Sequence, residues 1–458
     1  MRMMPDAEVL VIGGGPAGAV CALALSRLGR DVVLCEAAAF PRDHIGICLS
    51  PGVISQLDFL GVQHILDHSA HQIGLPIERR WESTSFTPTP IKALLVDRGQ
   101  FDSDMLAMAT ANRVRVLQPA MVLSFSRAAE GWVADVGTST GIRQVRAAFL
   151  VDARGRSSGH RDRRRRGTPT VAVHGEWQGE VRRAVRISAA DASWTWAAPT
   201  GRRKRVAVAF TNPGLLRRMK GSLDERYRSL LEDADAIEPG LELATPPRVC
   251  DATPYIAEGD QDGLLRIGDA DAALDPLSSS GVQAAIQSAL CAGPVINTLL
   301  TESADHAAAN EYWSYRRISR SETHQTWASH RYAEAYAARR TSFWHSRATA
   351  SSTATSSSAT NPPLPSPGQV LRMSEKVTFV EAPCLVDNLV VRVKSLMHPN
   401  IGEPVAYFDG VSLGPMMRAL SAGIAASEVV SLWSQSGSPE KAMALLGWCW
   451  QHEIAVAV

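Results

Sequence analysis

Lysine is scarce: of the 47 basic residues in this 458-residue chain, only Lys92, Lys204, Lys220, Lys376, Lys394 and Lys441 are lysines. Charge of one sign is missing too, because 46 acidic residues leave a net charge of +1, which removes any global reason to expect nucleic-acid or membrane-surface binding. The seven cysteines are odd in number and never spaced C-x-x-C, which speaks against a disulfide framework or a zinc site, so no metal is expected. No apolar run approaches the roughly 18 residues needed to cross a bilayer. The opening Met-Arg-Met-Met-Pro-Asp is too short for a signal peptide, so a cytoplasmic protein without a membrane span is expected. With 45% hydrophobic and 20% charged residues, the chain can bury a large core divided into two or three domains.

The most informative stretch is 8–36. An apolar run (Val9 to Ile12) meets Gly13, Gly15, Pro16, Ala17 and Gly18, then a helical segment to Leu28, then a second apolar run ending at Glu36. Gly13 suits the tight turn, Gly15 lets a pyrophosphate approach the backbone, and Gly18 lets the helix pack on the sheet. The helix N-terminus offers N–H groups to phosphate. Glu36, 23 residues beyond Gly13, is spaced to accept hydrogen bonds from a ribose diol, as FAD or NAD presents and NADP does not.

Further along, the turn-rich loop Phe40 to Gly52 is placed to reach back along such a cofactor, with Arg42 available to a phosphate or ribose and Gly46 permitting close backbone approach. Arg98 follows an apolar strand, with Asp102 expected as a helix N-cap. Strands are expected at 114–126 and 131–137. A buried strand ends at Asp152 and turns through Gly155. Two arginine runs, 161–166 and 202–205, are solvated loops or a dock for an acidic partner. Gly268-Asp269 ends another strand, and Asp275-Pro276 through Ser279-Ser280-Gly281 opens a helix at Val282 that would face negative charge. A second helix over about 307–347 is crowded with aromatics expected in a core, and 411–434 and 439–450 show helical patterning.

Three separated segments, Gly13 to Glu36, Val151 to Ser158, and Gly268 to Gly281, resemble the three motifs of single-component FAD monooxygenases of the para-hydroxybenzoate-hydroxylase type. The resemblance implies an α/β fold, a doubly wound Rossmann-like FAD domain interleaved with a sheet-based substrate domain. The expected boundaries are 1–70, 93–165 and 250–300 for FAD, and 71–92 and 166–249 for substrate. A long aromatic helix (301–345), a flexible Ser/Thr/Ala/Pro-rich linker (346–368) and a small C-terminal module (369–458) follow. The family's roles imply that Gly13 to Glu36 holds the ADP half of FAD and Asp269 the ribityl and pyrophosphate region. Pro276, Ser279, Ser280, Gly281 and Val282 then approach the flavin ring, and Arg98, Asp152 and Gly155 match further cofactor-side positions. The family's oxygen is carried as a flavin C4a-hydroperoxide. Only one dinucleotide fingerprint is present, so NADH or NADPH would bind transiently, or a separate flavin reductase would supply electrons.

Trp194-Thr195-Trp196-Ala197-Ala198-Pro199 is similar to the W-x-W-x-I-P motif of flavin-dependent halogenases, with Ala198 in place of isoleucine. Those enzymes also use a lysine between flavin and substrate, and the only lysine before Lys204 is Lys92, placed differently. A narrower resemblance is to the monooxygenases that hydroxylate a tryptophan of a partner polypeptide during tryptophylquinone biogenesis for quinohemoprotein amine dehydrogenase. The implied partners are O₂ and an aromatic substrate, a protein or peptide bearing tryptophan. The catalytic residues stay unknown, with His44, Lys92, His174, Trp194 and Trp196 the candidates and His160 close to the second motif. Open alternatives are a tryptophan halogenase, an FAD-dependent isoprenoid reductase and a non-enzymatic flavoprotein assembly factor.

Overall fold

A computed structural model describes residues 5–42, 44, 47–159, 163–258, 262–348 and 363–458. The chain divides into two units, Met1–Asn297 with Tyr315–Ala354, and Thr298–Ser314 with Thr355–Val458.

The first unit contains a seven-stranded sheet. Ala7–Ile12 pairs in parallel with Val32–Cys35 on one side and with Gly141–Asp152 on the other. Arg115–Leu117 and Leu264–Arg266 extend the parallel set, while Gly131–Thr138 and Met121–Ala128 add an antiparallel meander. Strands covered on both faces read as near-continuous apolar runs, as Val-Val-Leu-Cys does at 32–35, every residue of it buried. The helix Pro16–Arg27 connects the first two strands and buries Ala19, Ala22 and Leu23. Its Pro16 lacks an N–H that the first helical turn would leave unpaired in any case.

The strand expected over 114–126 is instead two strands, Arg115–Leu117 and Met121–Ala128, in different parts of the sheet. Pro119 lies between them and removes a ladder donor. The registers Ile12↔Asp152 and Asp152↔Arg266 bring three strand ends side by side. The turns at Gly13, Gly155 and Gly268 therefore share one end of the sheet, the carboxyl end where open α/β sheets bind ligands.

A second, nine-stranded sheet runs from Glu242–Leu243 through Val171–Gln178, Lys204–Thr211, Ser193–Pro199, Val185–Ala189, Ala70–Arg80 and Thr87–Val96 to Cys48–Leu49. Alternation sorts its residues between two faces. Trp194, Trp196, Val208 and Phe210 join Trp81, Tyr332 and Trp344 in one core. Ala197, Ala207 and Ala209 leave room on the other face for Tyr227, Leu230 and Leu231, which the helix Leu223–Asp233 carries.

The long second helix is also two, His306–Arg339 and Ser342–Ala348, parted at Arg340, whose φ of 55° cannot continue a helix. Its aromatics divide as well: Tyr332, Phe343 and Trp344 are core, while Tyr315 and Trp327 are exposed.

In the second unit the strand pair Thr378–Val386 and Leu389–Met397 forms a hairpin. It turns on Asp387-Asn388, both at positive φ, as a two-residue hairpin turn requires. Leu371, Leu396, Met417, Trp433, Leu446 and Cys449 form its core. The helical stretch expected over 411–434 is shorter helices at Leu413–Ala419 and Ala426–Ser434, and the last helix is Pro439–Gln451. Most of the proposed linker, 349–362, lies outside the described residues.

Candidate functional site

The first turn is closed to any residue larger than glycine. A Cβ on Gly18 would stand 1.8 Å from the Gly13 carbonyl oxygen, and one on Gly13, at φ +108°, would stand 2.5 Å from that of Ala153. Gly15 sits at the N-cap of Pro16–Arg27 with no side chain capping the helix. The first N–H groups are thereby left to whatever occupies the turn. Ala17 lies against Gly268, where a Cβ would be 2.8 Å from its own, so the first and third motifs touch.

Glu36 is buried, and its Oε2 accepts the Gly14 N–H at 2.6 Å while Oε1 accepts that of Ala38 at 2.8 Å. Gly14 was not among the expected site residues, although it presents the N–H that aims this carboxylate. Arg42 reaches Glu36 at 3.6 Å and Asp102 at 3.4 Å. Arg98 grips Asp102 with Nε at 3.0 Å and Nη2 at 3.2 Å. Asp102 is therefore not the N-cap: Asp97 caps the helix Arg98–Ala111 by accepting from the Gln100 N–H, and Asp102 is a fully buried anion between two arginines. The sequence pattern puts an acid near this helix start but cannot tell which of the two faces the bend.

At the second motif, burial works against the charge of Asp152, but hydrogen bonds from Arg154 and Ser158 prevail and hold its pKa below the usual range. Its oxygens are occupied by Arg154 and Ser158 of its own turn. Gly155, at φ +60°, lies across from Asp269, with a would-be Cβ at 4.0 Å from that side chain. Asp269 keeps 38% of its side-chain surface open and pairs with Arg156 at 3.5 Å. Desolvation by the surrounding protein raises its pKa against the lowering charges of Arg156, Arg98 and Arg164.

The third motif continues as a short turn, Pro276–Ser278, whose Leu277 N–H donates to Asp275 Oδ1 at 3.0 Å, and Ser279 adopts a left-handed φ of 52°. The helix Gly281–Leu299 starts directly after. Pro276, Ser279 and Ser280 are half-buried, Val282 is buried, and a Cβ on Gly281 would meet nothing within 4 Å. That end of the helix is open.

Beside this turn is a cavity of about 240 Å³, lined by Asp275, His324, Gln325, Tyr332 and Arg347 among others. Tyr332 donates to Asp275 Oδ1 at 2.8 Å. His324 Nε2 lies 3.3 Å from the Asp275 carbonyl oxygen and 3.4 Å from Ser278 Oγ. Burial lowers the His324 pKa against the opposing pull of Asp275. Burial raises Asp275, with Leu277, Tyr332, Arg347 and His324 opposing. Burial and the Asp275 charge raise the Tyr332 phenol. His324, Arg347 and the polar role of Tyr332 were missed, since nothing local in the sequence marks residues 49 and 57 positions from Asp275 as its partners.

Of the expected catalytic candidates, Trp194 reaches this group through the Tyr332 phenol, while Lys92, His174 and His44 are not among the residues lining the cavity. Lys92 is exposed on Thr87–Val96. His174 lies on Val171–Gln178 with its pKa lowered by burial and by Arg248. Trp194 stacks on Phe210 at 3.9 Å and meets Trp81 edge-on, so the Trp194 and Trp196 pair packs a core. His44 has an exposed surface yet is enclosed enough by protein, and near enough to Arg98 and Arg42, to be pushed down to about 4. Gly46 and His160 lie outside the described residues, as do Arg161 and Asp162 of the first arginine run. No group of three or more His, Cys, Asp or Glu is placed to hold a metal among the described residues, nor is any helix there long and apolar enough to cross a membrane.

A glycine-walled turn, an uncapped helix end and a buried carboxylate fit the pyrophosphate and ribose of a dinucleotide. The sequence profile described as FAD binding domain matches residues 6–325. The chain is similar to a tryptophan 2-halogenase of Chondromyces crocatus, 28% identical over 341 residues, which cover 68% of this chain and 65% of the halogenase. It thus spans slightly under two thirds of that relative. Among solved structures it resembles the peptidyl tryptophan dihydroxylase QhpG, essential for tryptophylquinone cofactor biogenesis, with a TM-score of 0.74, 24% identity, and 98% and 99% of the two chains covered. It also resembles the flavin-dependent halogenase CmlS, with a TM-score of 0.78, 19% identity, and 100% and 96% covered. The expected α/β class, a Rossmann-like sheet beside a second sheet-based domain, is the fold observed.

Proposed function

Because the chain belongs to the FAD binding domain family, whose profile spans residues 6–325, we propose that it is an FAD-dependent oxygenase that hydroxylates an aromatic ring, a tryptophan side chain of a partner polypeptide. FAD would be held by Glu36 at the ribose, by the Gly13–Gly18 turn and helix end at the pyrophosphate, and by Asp269 and the 276–282 turn nearer the ring. Reduced FAD supplies the oxygen-activating chemistry, with NADH, NADPH or a reductase as electron source. One atom of O₂ enters the ring as hydroxyl, and the other leaves as water with the two electrons delivered. The ring proton must go to a base. Asp275 is the one carboxylate lining the cavity among the described residues, and its upward-shifted pKa suits it to accept that proton. Tyr332 keeps Asp275 Oδ1 oriented.

The observation that carries hydroxylation over halogenation is the placement of lysine. All six lysines are exposed, and none lines the cavity. The competing reading, halogenation, is favoured by the likeness to the tryptophan 2-halogenase. Mass spectrometry of a tryptophan-bearing peptide, after turnover with FAD, reductant and air in the presence and absence of bromide, separates the two. Hydroxylation gives oxygen adducts that ignore bromide, and a brominated product would defeat this reading.

A further inference from the structure

Part of the first arginine run forms the edge of a small sheet next to the cavity. Arg164–Arg166 pairs antiparallel with Tyr255–Ala257, which on its other side pairs with Ala272–Ala273. The order of this three-stranded sheet leaves Arg164–Arg166 as an edge. The Arg163 carbonyl accepts from Glu258 N–H at 2.7 Å, and the Gly167 N–H donates to the Pro254 carbonyl at 2.9 Å. Backbone direction alternates along an antiparallel pair, so the N–H and C=O groups of Arg164 and Arg166 face away from that partner. No described residue pairs with them.

The side chains make this edge selective. Arg164 is committed to the carbonyls of Arg156 and Ser158 and to the Tyr255 ring, and Arg166 to Asp251 at 2.5 Å. Arg163 and Arg165, on the opposite face of the strand, are exposed; Glu258 stands across the strand pair from Arg163, and among the described residues neither arginine is in an ion pair. Arg165, Arg166, Gly167 and Thr168 also line the cavity that holds Asp275, where three arginines stand against one aspartate. An edge so charged repels basic strands and rewards acidic ones.

We propose that Arg163–Arg166 is the docking edge for an extended, acidic segment of the substrate polypeptide. It adds as a further strand along Arg164 and Arg166, with its carboxylates on Arg163 and Arg165 and an aromatic side chain directed at the adjoining cavity. Strand addition takes affinity from main-chain hydrogen bonds and specificity from alternate side chains. This rests on the oxygenase reading above for the aromatic side chain, though the docking itself is a binding event and is measured as one.

The test is calorimetric titration of the FAD-loaded protein with the capped peptide Glu-Asp-Glu-Trp-Glu-Asp-Glu and with its Gln/Asn counterpart. The acidic peptide should bind and the amide peptide should bind at least about fivefold more weakly, as expected for two exposed ion pairs. The double variant Arg163→Glu, Arg165→Glu should lose binding by at least the same factor while keeping its FAD absorbance, which reports that it is folded. Raising salt should weaken the wild-type protein selectively. Equal affinity for both peptides, or an unchanged variant, would overturn the proposal. Oxygenation of free indole without binding of the acidic peptide would remove the docking edge and leave the oxygenase reading intact. Arginine-dependent binding without oxygenation of any indole would do the reverse.

Discussion

The Tyr332 phenol donates a hydrogen bond to Asp275 Oδ1 at 2.8 Å across 57 residues of chain, joining the core of the second sheet to the turn that opens the helix Gly281–Leu299. Arg347 stands behind the pair, held by the carbonyls of Phe343 and Pro169. The proton-accepting group proposed for catalysis is thus fixed by residues that look in the sequence like packing.

Burial sets the pH behaviour of this pair. A carboxyl whose folded pKa is raised stabilises the native state below its unfolded value, about 3.9, and loses that contribution as pH rises through the folded value. Asp275 is such a group. Asp275→Asn can still accept from Leu277 and Tyr332, so at pH 8 it should melt higher than the wild type, and at pH 4 the difference should vanish. The same variant should lose most oxygenation while keeping FAD. Thermal melts at the two pH values and a turnover assay check both halves.

Tyr332→Phe removes the hydrogen bond and leaves the ring in place. A stability loss of about 1–2 kcal/mol is expected, with oxygenation reduced less than by Asp275→Asn because the carboxylate remains. Denaturant titration and product yield at equal FAD occupancy decide this.

The glycines of the cradle predict a graded series. Gly18→Ala and Gly13→Ala bring a Cβ against backbone oxygens, so each should cost about 3 kcal/mol or more and empty the protein of FAD. Gly29→Ala also has a positive φ, +83°, but nothing within 4 Å of its Cβ, so a loss of about 1–2 kcal/mol without loss of FAD is expected. Purified FAD content and unfolding midpoints of the three variants report the contrast.

Glu36→Ala deletes the acceptor for the Gly14 and Ala38 N–H groups. Those two bonds exist without FAD and bear on stability; the two that the same carboxylate would accept from the ribose diol are worth about 3 kcal/mol together, so FAD affinity should fall by roughly a hundredfold. Fluorescence titration with FAD measures it.

The cradle was legible because its logic is local: Gly13, Gly15, Gly18 and Glu36 lie within one strand-turn-helix-strand unit whose spacing dictates their roles. The pairing of Arg98 with Asp102 was not legible, and the pattern assigns Asp102 the cap that Asp97 takes, since both 97 and 102 are acids beside the same helix start. The cavity was not legible. His324 and Tyr332 meet Asp275 only after the long helix packs on the second sheet, and the aromatic crowding of that helix reads as core, which for Tyr332 is also true. The hairpin at Asp387-Asn388 had a usable signal, a turn pair between runs of alternating valines, and went unread beside the stronger helical patterning that follows.

Lysine supplies a negative control. Lys92 is exposed on Thr87–Val96, so Lys92→Ala should leave FAD content, turnover and the absence of halogenated product unchanged. Lost activity in that variant would restore the halogenase reading.

The most direct test of the central claim is a single turnover with isotopic oxygen. The FAD-loaded protein is reduced without air, mixed with a tryptophan-bearing peptide and ¹⁸O₂ in halide-free buffer, and the peptide is analysed by mass spectrometry. An oxygenase places ¹⁸O on the indole, and Asp275→Asn should lower that yield. Reoxidation of the flavin with the peptide returned unlabelled, in titrations that show the peptide bound, would contradict the account.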